Sequence, residues 1–401
     1  MTAHGKRVVV IVAAAAAIMA LTFGSRMSLA LFISAINTQT GAGLVAISFA
    51  FAVSQLMWGL AQPVAGAVAD RYGAGRVIAA GVLLIGLGTA LIPFAGSALA
   101  LVFVIGFIIA LGAGAAGVSI ALAAVARLIP PEKRAMAIGI VSAGGSVGQF
   151  TLVPLAQGLI GWVGWMAALW WLAAIALATA PLAWVLRGKG APAGGAAREE
   201  RLGQAVKRAF GDRSYVLLNL GFFTCGFHVA FIMTHLPGVV AYCSLPPAVS
   251  AWSLGVIGLF NIVGSLGIGW AMGRWRSKSL LALLYFSRAV AVAVFLAAPK
   301  TELTFLAFSA VLGITWLSTV PPTGGLVAKF YGPRYMATLF GIVLLSHQLG
   351  GFLGAYFGGV AFAATGSYDW MWYADIALAL AAALVHLPIR ERPLHAAPVP
   401  A

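Results

Sequence analysis

The chain has 401 residues, of which 62% are hydrophobic and 8% are charged, whereas about 25% of the residues in an ordinary soluble domain carry a charge. This composition excludes a soluble globular protein and predicts one that crosses a membrane many times. The net charge of +15 does not indicate a nucleic-acid partner, because basic residues in a membrane protein first report the side on which each loop lies.

Twelve apolar segments are long enough to cross a bilayer as helices, since a spanning helix needs about 20 apolar residues. They are expected over residues 8–34, 44–67, 75–95, 98–126, 136–159, 164–186, 214–241, 250–273, 279–298, 303–328, 335–362 and 369–388. Basic residues ahead of the first run also fit a signal peptide, but we interpret that run as a spanning helix because equally apolar segments follow it. The predicted class is an all-α membrane protein.

The basic residues divide unequally between the two sides of this predicted bundle. Of the 24 Lys and Arg residues, 21 fall at the termini or in loops on the N-terminal side, Lys300 falls on the other side, and Arg26 and Arg288 fall within spans. Because short loops rich in Lys and Arg stay in the cytoplasm, both termini are expected to be cytoplasmic.

The longest polar segment, residues 187–213, is predicted to be a solvated linker between two halves, 1–186 and 214–401. A shift of 202 residues lays 126–148 on 328–350 with a shared Gly-Ile-Val triplet and a shared later glycine. A shift of 203 lays "GAVADR" on "GWAMGR". Two parallel six-helix halves predict a transporter that rocks one half against the other around a midplane site.

The loop between the second and third spans reads "GAVADRYGAGR". It resembles the G-x-x-x-D-R-x-G-x-x-R signature of the major facilitator superfamily, and the resemblance extends over the twelve spans and the repeat. In that family the motif holds the cytoplasmic helix ends together while the transporter faces outward; a tight turn with balanced charge is the alternative. The resemblance assigns this gating role to Gly66, Asp70, Arg71, Gly73 and Arg76.

Charged groups inside the predicted spans are few. Arg26 lies nearer the outer end of span 1, where its head can also extend to the interface. Arg288 lies near the midplane and must face protein or water, either as a tie to helix-end carbonyls or as a ligand for cargo. Asp375 is the one carboxylate within a span, so an anionic substrate is the natural counter-ion for the two arginines.

Three histidines add candidate proton carriers, because the pKa of histidine lies near neutrality. His228 and His235 are seven residues apart on one face of span 7, and His347 lies in span 11. With Asp375 they form the proton-coupling candidates, although a buried histidine can also simply be hydrogen-bonded, and no metal site is predicted. The residues expected to line a substrate cavity are Arg26, Arg288, Asn261, His228, Gln55, Trp316, His347 and Gln348.

Five segments, "FGSRMSLALF", "GFHVAFIMTHLP", "LLYFSRAVAVAVFL", "PPTGGLVAKFYGPR" and "TGSYDW", resemble the bacterial relatives of monocarboxylate transporters and oxalate/formate exchangers. The resemblance implies a small carboxylate moved with a proton or in exchange for another anion, with Arg26 in the place of a cationic helix 1 residue. Monocarboxylate transporters also carry an arginine on helix 8, where this chain has Asn261 and then Ser265.

These features predict a secondary active transporter of a small organic anion, with a monocarboxylate as the favoured class, that works by alternating access in a bacterial inner membrane. The alternative is an efflux carrier of the same fold for neutral or cationic amphiphiles. An enzyme is not expected, since no nucleophile with a neighbouring base is visible. We expect a monomer in the lipid bilayer that needs no cofactor and binds no nucleic acid.

Overall fold

The computed structural model describes residues 3–187 and 202–392, and within these ranges the chain is helical and forms no β-strand. Eleven of the described helices are long and apolar enough to cross a membrane. They are α1 (Lys6–Thr40), α2 (Leu44–Ala69), α3 (Ala74–Phe94), α4 (Ala98–Leu122), α5 (Met136–Val163), α6 (Trp165–Trp184), α7 (Arg213–Tyr242), α8 (Pro247–Met272), α9 (Ser277–Ala297), α10 (Glu302–Tyr331) and α11 (Leu339–Thr365).

The twelfth predicted span is the 18-residue helix α12 (Asp369–His386), which is about 27 Å long. It is less apolar than the others because it carries Asp369, Asp375 and His386. It packs against α7 and α9 within the C-terminal half. The prediction of an all-α membrane fold is therefore confirmed.

The first helix ends later than the sequence predicted. A tight turn over Leu29–Phe32 leads into a further helical stretch, Ile33–Thr40, although the apolar run stops near residue 34. The stop is Gly41, which has the left-handed φ of 62° that commonly terminates a helix.

Two short features connect the spans. A helix over Leu202–Gly211 precedes α7, while residues 188–201 of the predicted linker lie outside the described residues. The chain between α10 and α11 stays helical but reverses direction, since a Cβ added at Gly324 would lie 3.7 Å from the Phe340 ring. A straight helix would separate those two positions by about 24 Å.

Among the close helix contacts of each half is a seam in which two helix backbones touch. A Cβ on Gly148 of α5 would overlap the carbonyl of Ala20 on α1, and a Cβ on Gly350 of α11 would overlap the carbonyl of Phe223 on α7. Glycine is needed at such contacts because any side chain would force the backbones apart. Gly148 and Gly350 are 202 residues apart, so the seams repeat at the offset seen in the sequence.

Most of the apolar core belongs to one half or the other. Two of the four largest clusters of buried apolar residues lie within the N-terminal half, and a third combines residues of the C-terminal half with Ala209 of the segment before α7. The fourth adds Met27 and Val153 from the N-terminal half to a cluster of the C-terminal half. The halves are therefore largely separate apolar packing units, joined by the contacts of α2 with α11 and of α5 with α8 and by the small cluster of Ala52, Ala230 and Ala355.

The bundle has two distinguishable ends. We call the end that carries the loops around residues 70–76 and 273–278 the basic end, and the opposite end, with residues 41–43 and 243–246, the far end. Contacts between α2 and α11 run from Ser48 with Gly359 near the far end to Gly59 with Gln348. The last of these contacts lies ten residues before Ala69, about 15 Å from the basic end.

Toward the basic end the helices that face the other half lose these contacts. Gly66 of α2, Gly139 of α5, Gly267 of α8 and Gly341 of α11 each have no described atom within 4 Å of an added Cβ. The contacts between α2 and α11 run from the far end to the middle of the bundle, and the four open glycines fit a separation of the halves toward the basic end.

Candidate substrate site

Arg26 lies on α1 beside α2, at the level where the halves begin to separate. Its Nη2 donates to Gln55 Oε1 over 2.9 Å, and its Cζ lies 4.4 Å from the centroid of the Trp58 ring. Gln55 in turn contacts Gly351 of α11 in the other half. The side chain is half-buried, and both partners are neutral, so the guanidinium charge is not compensated locally.

Further polar residues of this region lie on α5, α8 and α11. Asn261 Nδ2 donates to Ser146 Oγ over 2.9 Å, and Asn261 Oδ1 accepts from the Leu317 backbone N–H over 3.0 Å. Gln348 is 2% exposed and lies on Gly59, and its Oε1 has no hydrogen-bond partner among the described residues. Asn261 therefore links the two halves, while Gln348 keeps an unused acceptor.

The repeat relates the polar residues of the two halves to each other. A shift of 202 residues lays Arg26 on His228 and Ser146 on Gln348, and a shift of 203 lays Trp58 on Asn261. Each half thus contributes a basic residue from its first helix and a polar or aromatic residue from its second. The candidate site is consequently approximately symmetric in position, although the residue types differ.

His228 and Asp375 form a buried pair between α7 and α12. His228 Nδ1 and Asp375 Oδ2 are 2.6 Å apart, and the side chains are 1% and 0% exposed. His228 Nε2 and Asp375 Oδ1 have no hydrogen-bond partner among the described residues. The ring of His228 lies 6.0 Å from that of Trp316. Such a pair can hold a proton between a base and a carboxylate away from bulk water.

Arg288 is enclosed by protein, with 1% of its surface exposed. Its Nη2 donates to the carbonyls of Thr315 and Trp316, the latter over 2.6 Å, and its Nη1 lies 3.3 Å from Cys225 Sγ. Thr315 ends a helical stretch, where the last carbonyls lack intrahelical donors. The geometry is that of the tie to helix-end carbonyls, and Arg288 does not reach the space between the halves in this conformation.

The remaining histidines occupy different surroundings. His235 Nε2 lies 2.8 Å from the Ala355 carbonyl of α11 and its ring packs beside Tyr368. Burial raises the pKa of Tyr368, which lies between α11 and α12, to about 12. His347 is half-buried beside Phe222, and its Nδ1 has no described partner. His235 and His347 are therefore not part of the His228 pair.

The gating motif closes α2 and starts α3. Gly73 has a φ of 93°, which favours glycine strongly over residues with a Cβ. Arg71 is exposed with its Cζ 5.3 Å from the Tyr72 ring centroid, and Arg76 is exposed as well. Desolvation first, and then the like charge of Arg76, lowers the pKa of nearby Arg187. The prediction for Asp70 concerns a side chain outside the described residues.

Three polar partners in this region were not predicted from the sequence, namely Ser146, Cys225 and Thr315. Cys225 Sγ lies 3.2 Å from Thr319 Oγ1 as well as beside Arg288. Within the described residues, no group of three or more His, Cys, Asp or Glu side chains could hold a metal ion.

Comparison with known proteins decides the family. The profile of the Major Facilitator Superfamily matches residues 15–355. The chain belongs to this superfamily. It is therefore a multi-pass membrane protein and a secondary transporter that works by alternating access, not an enzyme, and the predicted family is confirmed.

Three relatives resemble the chain over most of its length. The uncharacterized MFS-type transporter YcxA of Bacillus subtilis is 23% identical over 80% of both chains. The uncharacterized MFS-type transporter YhjX of Escherichia coli is 23% identical over 82% of both chains. Monocarboxylate transporter 13 of Rattus norvegicus is 24% identical over 87% of this chain and 81% of its own.

Solved structures share the fold. A bacterial homologue of the human lysosomal transporter Spinster, in an inward-facing and occupied conformation, superposes with a TM-score of 0.74 at 17% identity, over 94% of this chain and 95% of its own. The inward open conformation of the xylose transporter XylE from E. coli superposes with a TM-score of 0.70 at 14% identity, over 94% and 95%. These similarities confirm the major facilitator fold with its two six-helix halves.

Proposed function

We propose that this transporter carries a small organic anion, most simply a monocarboxylate, and that Arg26 binds the carboxylate. The supporting observation is the position of Arg26 between α1 and α2, where the halves begin to separate, with Gln55 and Trp58 as neutral neighbours. A guanidinium held this way keeps donors for a bidentate contact with a carboxylate.

The balance of charge within the described spans favours the same class of cargo. Away from the helix ends the charged side chains are Arg26, Arg288 and Asp375, and Asp375 is paired with His228. The spans therefore carry an excess of positive charge. An uncompensated charge within a bilayer costs free energy, and a bound anion reduces that cost. Buried carboxylates that would attract a cationic amphiphile are scarce here, which argues against the alternative of an efflux carrier.

The His228–Asp375 pair is the proposed coupling site. It binds or releases a proton as the carrier cycles, which gives proton symport; without that step the carrier exchanges one anion for another. We further propose that the basic end is cytoplasmic, following the distribution of Lys and Arg, that the protein works as a monomer in the bacterial inner membrane, and that this conformation faces inward.

Uptake into proteoliposomes tests the substrate class. Small carboxylates such as formate, oxalate and lactate are expected to drive or compete for uptake, whereas a lipophilic cation such as tetraphenylphosphonium is not. Arg26→Gln loses a charge-assisted hydrogen bond worth about 1.5–3 kcal/mol, so the apparent affinity should fall roughly 10- to 150-fold.

Two comparison variants make the result specific. Arg26→Lys keeps a positive charge and should retain part of the affinity, and Lys207→Gln removes an exposed cation at the basic end and should behave as wild type. Competition by the lipophilic cation instead of carboxylates, or unchanged affinity in folded Arg26→Gln, would refute the proposal.

A further inference from the structure

A cavity of about 380 Å³ opens at the basic end of the C-terminal half, apart from the space between the halves. Five of its eight lining residues are cationic, one is an acid, and two are apolar. They are Arg276, Lys278, Lys329, Arg390, Arg392, Glu391, Pro388 and Ile389. The cavity lies among the ends of α9, α10 and α12, and α9 packs only on C-terminal helices among the described contacts.

Protein contacts already use part of this charge. Lys329 Nζ donates to Glu391 Oε2 over 3.1 Å, the Lys278 backbone N–H donates to Glu391 Oε1 over 2.6 Å, and Lys278 Nζ donates to the Leu387 carbonyl over 2.8 Å. The one carboxylate is therefore fully engaged in fixing the C-terminal segment against α9 and α10.

Three guanidinium groups remain available. Arg276, Arg390 and Arg392 are exposed and make no side-chain hydrogen bond to the described residues. They come from two segments far apart in the sequence, which the Glu391 contacts bring to one cavity. Three free guanidinium groups around a concave surface match the oxygens of a phosphate group, which arginine binds through paired N–H donors.

The surroundings of the cavity indicate that the phosphate belongs to a lipid headgroup. Trp270 and Trp275 flank the loop into Arg276, are 55% and 54% exposed, and pack edge to face at 5.5 Å. Arg274 Cζ lies 4.0 Å above the Trp270 ring. Exposed tryptophans beside arginines are typical of the headgroup level of a bilayer, where anionic lipids attract basic residues.

We propose that this cavity binds the phosphate group of an anionic phospholipid, with Arg276, Arg390 and Arg392 as its ligands. The bound headgroup neutralises the cations left after Glu391 has paired, and it joins the end of α12 to the loop between α8 and α9. The proposal does not depend on which substrate the transporter carries.

Thermal unfolding of the purified full chain in detergent tests this site. Dioleoyl phosphatidylglycerol is titrated against the zwitterionic phosphatidylcholine, and inorganic phosphate is added in a separate series. We expect phosphatidylglycerol to raise the unfolding temperature of the wild type and phosphatidylcholine to have little effect. The triple variant Arg276→Ala, Arg390→Ala, Arg392→Ala should need about 100-fold more phosphatidylglycerol for half the shift.

A matched variant separates a site from a general attraction of charge. Lys6→Ala, Arg7→Ala, Lys207→Ala removes the same number of exposed cations from the basic end and should respond as the wild type does. If inorganic phosphate stabilises the wild type but not the Arg276, Arg390 and Arg392 triple variant, while phosphatidylglycerol has no effect, the cavity binds free phosphate and the lipid is refuted as its ligand. Equal responses to phosphatidylglycerol in the wild type and both triple variants would overturn the proposal.

Discussion

Replacing Arg288 distinguishes a structural role, in which the side chain holds helix-end carbonyls, from a role as a ligand of the substrate. In Arg288→Met the carbonyls of Thr315 and Trp316 lose the donors that Nη2 supplies. A buried polar group left without its partner costs about 1–3 kcal/mol, so two such carbonyls predict a loss of about 2–6 kcal/mol in stability. Cys225 Sγ loses a neighbour as well, but sulfur is a weak acceptor and adds little.

The assay combines thermal unfolding in detergent with transport by the fraction that remains folded. We expect a large fall in the unfolding temperature, while the folded fraction keeps the wild-type apparent affinity for its substrate. In Arg288→Lys the ammonium group can reach at most part of the same carbonyl set, so the unfolding temperature should lie between those of the wild type and Arg288→Met. Wild-type stability together with abolished uptake would refute the structural role and make Arg288 a ligand for cargo.

Two further changes test the seams and the coupling site. Gly350→Ala adds a Cβ that overlaps the α7 backbone and should destabilise the fold by at least about 1–3 kcal/mol. Gly341→Ala on the same helix meets open space and should leave the unfolding temperature unchanged or raise it. Similar losses of stability in both variants would argue against the seam. His228→Gln keeps a hydrogen bond to Asp375 but cannot bind and release a proton, so a pH gradient should no longer accelerate uptake while anion exchange continues. His235→Gln is the control variant and should still respond to the gradient. Gradient-driven uptake that survives in His228→Gln would contradict the coupling role.

The fold could be predicted because apolar length and charge distribution are direct consequences of the bilayer. The later end of α1 could not, because polar residues between 34 and 40 still form a helix until Gly41 ends it. The reversal between α10 and α11 was expected as a loop between spans, but its backbone stays helical. Local hydrogen bonding, and not hydropathy, determines such boundaries.

The candidate site could be predicted in part for a similar reason. Arg26 and Gln55 stand out as polar residues in apolar segments, and the structure places them in contact. Ser146 does not stand out, because small hydroxyl residues in helices commonly bond only to their own backbone, as Thr22 does to the Ile18 carbonyl. The pairing of His228 with Asp375 across 147 residues depends on how α7 packs on α12, which composition does not encode.

The contrast between the seams and the contacts across the halves has a mechanical consequence. The backbones of α1 and α5, and those of α7 and α11, are in direct contact, so these helix pairs cannot slide past each other. Each half should therefore rotate as a rigid body. The interface between the halves contains hydrogen bonds such as that of Asn261 with Ser146. Each is worth only about 0.5–1.5 kcal/mol net, because water can replace the partner. Exchanging such bonds for water costs little net free energy, so cargo that binds one orientation of the halves more tightly can shift the population toward it.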